Sequence, residues 1–289
     1  MAFGAKTKER ETPTETQVVG AGDVGKLDVG GNSMVKAGDH PSPASSRADR
    51  RAADAGKGVS PDRDDKLVPM IRVLQSQSPQ CLRQKPEYIE GARAGDFFLK
   101  NTVIPVVKGE EGFDFVPCAF LKCWLEFDGP RDESPNFVAR HEDAGGRPKD
   151  VAGLILDPED GYDWISRDGH RYSLSREHYG LVNGKMPFMF PFGGSGHTTS
   201  KEWQTLMDQF RLRDGRVEPS FNHKYKLTTV PRSNKSGDWF AVNVAHIGEV
   251  SDEEYELGHR LHEAVEGGTK VAEVPERDAG EVMAEKTAF

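Results

Sequence analysis

Hydrophobic and polar positions alternate most regularly between Phe113 and Phe127, FDFVPCAFLKCWLEF. From Leu121 onward, Leu121, Cys123, Leu125 and Phe127 form one face and Phe120, Lys122, Trp124 and Glu126 the other, which is the period of a β-strand. The second face mixes two rings with a lysine. It suits either a surface strand of an oligonucleotide-binding barrel or a strand lying under a covering loop. Before it, Leu67 to Gln77 has apolar residues at 67, 70, 71 and 74, a helical spacing with Pro69 in the first turn. A turn-rich link, KPEYIEGARAGDFF, leads to strand material at Phe97, Phe98 and Val103 to Val107.

Asp128 to Asp150 is polar and rich in Gly and Pro, and is expected to be a long loop. A short apolar run, GLIL, and a polar stretch to Tyr179 follow. Met186 to Phe192, MPFMFPF, is apolar but carries two prolines, which fits an edge or irregular segment. A helix is expected over Lys201 to Leu212, with a capping box from Thr199 to Glu202. Its apolar stripe is Trp203, Leu206, Met207 and Phe210. Ser220 to Val244 reads as a β-hairpin around an eight-residue loop, PRSNKSGD. A last helix begins near Ser251 with a capping box to Glu254 and stops at Gly267-Gly268. Strands outnumber helices, without a βαβ rhythm or a solenoid repeat. The expected fold is α+β, mainly antiparallel β, with an OB-like barrel core and helical additions.

Composition sets the domain limits at 1–66, 67–268 and 269–289. The first 66 residues hold one aromatic, Phe3, and a balance of 11 basic and 11 acidic side chains. Such a segment buries too little apolar surface to offset its ordering entropy and is expected to be a disordered arm. It has no apolar signal-peptide core, and no run reaches membrane-spanning length. A soluble, cytoplasmic protein is expected. Cys81, Cys118 and Cys123 do not form a disulfide framework or a zinc knuckle.

The net charge is −9, and residues 249–289 carry 12 acidic against 4 basic side chains. The remaining domain is therefore close to neutral. Against that background the hairpin stands out. It carries Lys224, Lys226, Arg232 and Lys235 against Asp238, interleaved with Phe221, Tyr225, Trp239 and Phe240. Cations for phosphates and rings for bases are the requirements of a single-strand groove. The plainer alternative is a solvated hairpin with its rings in the core. The candidate nucleic-acid contacts are Lys122, Trp124, Lys224, Tyr225, Lys226, Arg232, Lys235 and Trp239. Along the strand the lysines 224 and 226 share a face that Tyr225 does not.

Other constellations carry less. Gly193 to Ser200, GGSGHTTS, lacks both the Walker A ending and the nucleophile-elbow frame. Asp157, Asp160 and Asp163 lack the EF-hand spacing but leave a metal-dependent nuclease open. His259 and His262 are expected to be exposed helix residues. No catalytic triad is legible, and no cofactor or resident metal is expected.

Four segments, LQSQSP, KPEYIEGARAGDFF, FVPCAFLKCWLEF and KYKLTT…GDWF, resemble a group of bacteriophage proteins related to phage single-stranded DNA-binding replication proteins. The resemblance covers roughly Leu67 to Gly268. It implies non-enzymatic, sequence-tolerant binding of single-stranded DNA in replication or recombination. The tail, with Glu281, Glu285 and the terminal Phe289, resembles the acidic, Phe-ended tails through which single-strand binding proteins recruit phage or host replication proteins. It departs from them in that its acids are dispersed. The alternative is a structural or internal phage protein that uses the same sheet for protein contacts.

Overall fold

The computed structural model describes residues 68–129, 135–158, 161–235 and 237–268, together with 51 and 54. The arm expected over 1–66, apart from those two positions, and the tail at 269–289 lie outside the described residues.

The chain forms an α+β fold, mainly antiparallel, with an OB-like barrel core. In order it builds β1 (Ile71–Val73), β2 (Phe97–Leu99), β3 (Val106–Val107), β4 (Phe113–Phe127), β5 (Phe137–Glu142), β6 (Ile155–Leu156), β7 (Trp164–Ile165), β8 (Arg171–Val182), β9 (Met186–Phe192), α1 (Gly196–Met207), β10 (His223–Asn234), β11 (Gly237–Glu249) and α2 (Asp252–Glu266). Strands β4 to β11 make one curled, eight-stranded sheet, and β1 to β3 make a second.

The axis of the large sheet is the β4–β8 ladder. β4 pairs with β8 from Phe115↔Val182 to Phe127↔Arg171. Its other edge is shared: Phe113 to Phe115 take β10, and Cys123 to Phe127 take β5. The register shifts between Pro117 and Ala119. This bulge accommodates a proline inside a central strand. It also frees the Cys118 carbonyl, which accepts a hydrogen bond from His262 Nδ1 at 2.9 Å. His262 therefore fastens α2 to the sheet and is not the exposed residue expected. The Ser251–Glu254 capping box of α2 is formed.

The small sheet spans the gap that the curled sheet leaves open. On one side Met70 bridges Met189 of β9, and Met189 N–H donates to Pro69 O at 2.8 Å. On the other side Thr229 of β10 donates its N–H to Gly109 O at 2.9 Å and its hydroxyl to Gly95 O at 2.6 Å. Gln75 completes the seam: its side-chain amide donates to Phe240 O at 3.0 Å and accepts from Phe240 N at 2.9 Å. Inside lie Ile71, Phe97, Phe113, Phe115, Phe188, Phe190, Trp203, Tyr225 and Leu227, all sealed from solvent. Each such apolar side chain contributes roughly 1.5–3 kcal/mol by burial.

Several expected elements differ. The helix read over Leu67 to Gln77 is instead an extended segment containing β1. Val68, Met70, Ile71 and Leu74 are buried from more than one direction, so their spacing is not that of a single helical face. The loop expected over Asp128 to Asp150 contains β5. β8 was hidden by its polar sequence. Ser173, Ser175, Glu177 and Arg171 on one of its faces are all buried. α1 begins at Gly196, so the Thr199–Glu202 capping box does not form, although Trp203 and Met207 do face the core. The hairpin has no eight-residue loop. Its ladder runs to Asn234↔Gly237, leaving positions 235 and 236 between the strands. Pro231 reads as a breaker, yet its partner Phe240 directs its own N–H and C=O to Gln75. That makes Pro231↔Phe240 a non-hydrogen-bonded pair, in which β10's missing N–H leaves no β11 acceptor unpaired.

Gly109 is the tightest point of the closure. A Cβ there would collide with Gly95 O and Thr229 Oγ1. Gly109→Ala is expected to cost about 1–3 kcal/mol, read as a lower midpoint in urea unfolding. An unchanged midpoint would mean that the seam is not under packing constraint.

Candidate nucleic-acid interface

Register decides which hairpin residues share a surface. Tyr225, Leu227, Val242 and Val244 face the barrel interior. By the period of two, Lys226, Thr228, Val230 and Arg232 of β10 and Trp239, Ala241, Asn243 and Ala245 of β11 face outward. Arg232 and Trp239 are direct cross-strand partners on that outward face, close enough for their side chains to touch.

The four hairpin cations fall into two groups. Lys224 Nζ lies 2.7 Å from Glu254 Oε1 of α2, and Lys226 Nζ lies 3.5 Å from Asp114 Oδ1 of β4. Burial alone would raise the Glu254 carboxyl, but hydrogen bonds from Lys224 and Ser251 hold it below the ordinary range. Both lysines are thus neutralised locally and tie the hairpin to its neighbours. Arg232 and Lys235 are exposed and have no acidic partner among the described residues. They sit where the hairpin extends past its last contact with β4, at Leu227↔Phe113.

The aromatic half of the expected site is largely interior. Tyr225 is fully buried and packs edge-on against Trp203. It offers no face to a base, which corrects its expected stacking role. Trp124 is also buried. Its Nε1 donates to Asp143 Oδ1 at 2.8 Å, so the covering-loop alternative holds here. Trp239 is half-buried, with its Nε1 sealed from solvent, and it alone of the three keeps ring surface beside a cation.

Lys122 does not join this group. β10 runs antiparallel to β4 from Tyr225↔Phe115 to Leu227↔Phe113, so Arg232 lies beyond one end of β4. Lys122 lies seven residues past Phe115 in the other direction, about 23 Å at about 3.3 Å per residue. The eight expected contacts therefore do not form one channel. The structure instead brings together Arg232, Lys235 and Trp239 at the hairpin end. Glu281, Glu285 and Phe289 lie outside the described residues.

The far half of the sheet holds a polar cluster that sequence reading missed. Glu126 Oε1 accepts from Tyr172 Oη at 2.9 Å and lies 2.6 Å from His170 Nδ1; its Oε2 lies 2.6 Å from His141 Nε2. Burial opposes ionisation of Glu126, but the bonds from His170, His141 and Tyr172 outweigh it and hold the carboxyl below its usual range. The bond to Glu126 raises the His170 imidazole above its usual range. On the opposite face, Glu177 accepts from Arg140 at 2.6 Å, Tyr179 at 2.6 Å and Cys123 at 3.0 Å. Pairing of β4 with β5 and β8 brings most of these residues together across long sequence separations, so no local motif announces them. Of the aspartates considered for a nuclease, Asp163 is buried in an ion pair with Arg171 at 2.8 Å and accepts from Ser173. Asp160 lies outside the described residues. Among the described residues no group of three or more His, Cys, Asp or Glu side chains is arranged so that it could hold a metal ion.

The Glu126–His170 pair sets a pH window. The raised imidazole contributes stability below its unfolded value of about 6.5, lost as pH rises through the folded value. The lowered carboxyl contributes above its unfolded value of about 4.5, lost as pH falls. Glu126→Gln is therefore expected to destabilise most between about pH 5 and 6, and less on either side, in thermal unfolding across pH. A pH-independent difference would contradict the coupling.

No helix among the described residues is long and apolar enough to cross a membrane. Neither curated proteins nor solved structures provide a match to this chain. Residues 37–271 match the family described as Pam3 phage gp34-like protein. The match covers well over half of the 289 residues and begins some way before the barrel. The chain belongs to this bacteriophage family of Pam3 gp34-like proteins.

Proposed function

We propose that the protein is a non-enzymatic, sequence-tolerant binder of single-stranded DNA, acting in phage DNA replication or recombination through the end of the β10–β11 hairpin. One observation carries this reading. Arg232 and Trp239 oppose each other on the outward face, next to Lys235, and neither cation is neutralised by an acid among the described residues. A guanidinium and an ammonium suit backbone phosphates. The open part of the Trp239 ring suits a base, a contact worth about 1–3 kcal/mol where it forms. Every base has a flat face, so such binding is tolerant of sequence. The acidic tail with Glu281, Glu285 and Phe289 would then serve replication partners.

A second reading has its own support. Val103 is 99% and Ile104 70% exposed in the turn between β2 and β3. Adjacent exposed aliphatics of this kind favour a protein-contact role, such as that of a phage structural or internal protein.

Oligo-dT binding measured by anisotropy over a salt series separates the readings. Arg232→Ala with Lys235→Ala is expected to weaken binding roughly tenfold at low salt and to reduce the salt slope by about 1.4. Lys224→Glu with Lys226→Glu is expected to lower the thermal midpoint, because each glutamate would face Glu254 or Asp114. If the parent does not bind oligo-dT, or the tip variant binds as the parent does, the DNA reading fails.

A further inference from the structure

Lys122 of β4 and Arg176 of β8 are direct register partners on one face of the large sheet. Side chains so placed start about 4.5–5.5 Å apart, and like charges in that arrangement oppose folding. Neither is relieved by a carboxylate. Arg176 is only 7% exposed; its Nε donates to Ser200 Oγ at 2.9 Å, and its guanidinium lies 4.9 Å from the centre of the Phe120 ring. Its terminal nitrogens are not among the sealed, unpartnered atoms, so they keep access to solvent. Lys122 is exposed and unpaired among the described residues.

The nearby acids are committed elsewhere. Asp143 accepts from Trp124 Nε1 and Gly146 N. Glu126 is bound by His141, His170 and Tyr172. Glu177 points to the opposite face, toward Arg140, Tyr179 and Cys123. The local field is felt next door: burial and then the charge of Arg176 push the His178 imidazole down to about 3. Two adjacent cations, one of them largely buried, thus remain uncompensated at one spot. Burying an unpaired charge is costly, and an oxyanion placed between the two would offset that cost.

We infer that Lys122 and Arg176 form a binding site for a phosphate group. Arg176 offers the free side of a planar fork and Lys122 a mobile point charge, the pair of donors that a phosphate takes well. Ser200 fixes the orientation of the fork from α1, and the Phe120 ring supports its face. The site lies at the other end of β4 from the hairpin tip and does not depend on the tip's function. The phosphate belongs either to a nucleic-acid backbone or to a small phosphorylated molecule.

Calorimetry and thermal unfolding of the full chain with inorganic phosphate, against chloride at equal ionic strength, test this. Saturable, phosphate-specific stabilisation is expected. Lys122→Ala, at an exposed position, is expected to stay folded and to bind phosphate about tenfold more weakly or worse. Arg232→Ala is expected to bind it as the parent does. Displacement of phosphate by oligo-dT would assign a backbone phosphate; displacement by thymidine 5′-monophosphate and not by oligo-dT would assign a small ligand. Absence of phosphate-specific stabilisation in the parent, or parental affinity in Lys122→Ala, would overturn the inference. Hairpin variants leave this readout untouched, so the two sites fail independently.

Discussion

Closure of the curled sheet by the small sheet is the constraint from which the rest follows. The large sheet alone would leave β9, β11 and the part of β10 beyond Leu227 open, each presenting unpaired backbone groups. Residues 69–75 and 95–109 satisfy part of all three, with Pro69 and Met70 on β9, Gly95 and Gly109 on β10 and Gln75 on β11. Once closed, the barrel has a dry aromatic interior, and Tyr225 and Leu227 must belong to it. The outward parity of Lys226, Arg232 and Trp239 is a consequence. So is the position of the hairpin end beyond the last β4 rung.

Charge placement follows the same division. Cations near the barrel wall are matched to acids and serve the fold: Lys224 to Glu254, Lys226 to Asp114, Arg140 to Glu177 and Arg171 to Asp163. The Lys226–Asp114 pair, the most exposed of them, contributes little, about 0–1 kcal/mol, but it and the Lys224–Glu254 pair remove the lysines from any shared field. Of the cations considered for binding, those without an acidic partner among the described residues fall in two separate places, the hairpin end and the Lys122–Arg176 rung. A protein with net charge −9 can therefore present local cationic spots, because the excess acid lies mostly in residues 249–289.

Strand β4, the capping box at Ser251, the core-facing stripe of α1 and the existence of the hairpin could all be read from the sequence, because each is encoded by neighbours within a few positions. What could not be read is encoded by distant partners. β8 looks like a polar loop until the partners of its buried groups are seen: Asp163 for Arg171 and Ser173, Ser200 for Arg176, and Arg140 and Tyr179 for Glu177. The segment at Ile71 carries a helical spacing but is drawn into a strand by pairing with β2 and bridging to β9. Pro231 looks like a turn residue because its side of the ladder is invisible without Gln75. Residue types at the candidate site were legible, but their directions were not. Tyr225 could be suspected of facing inward from its alternation with Lys224 and Lys226. The burial of Trp124 beneath Asp143, and the distance of Lys122 from the hairpin, required the register.

Amide hydrogen exchange of the full chain, with and without saturating oligo-dT, tests most directly whether the unmatched cations at the hairpin end define the working surface. Slowed exchange centred on residues 231–240 is the expected result, with the barrel-facing rungs around Tyr225 and Leu227 unchanged. Unaltered exchange at the hairpin end under saturating DNA would contradict the assignment.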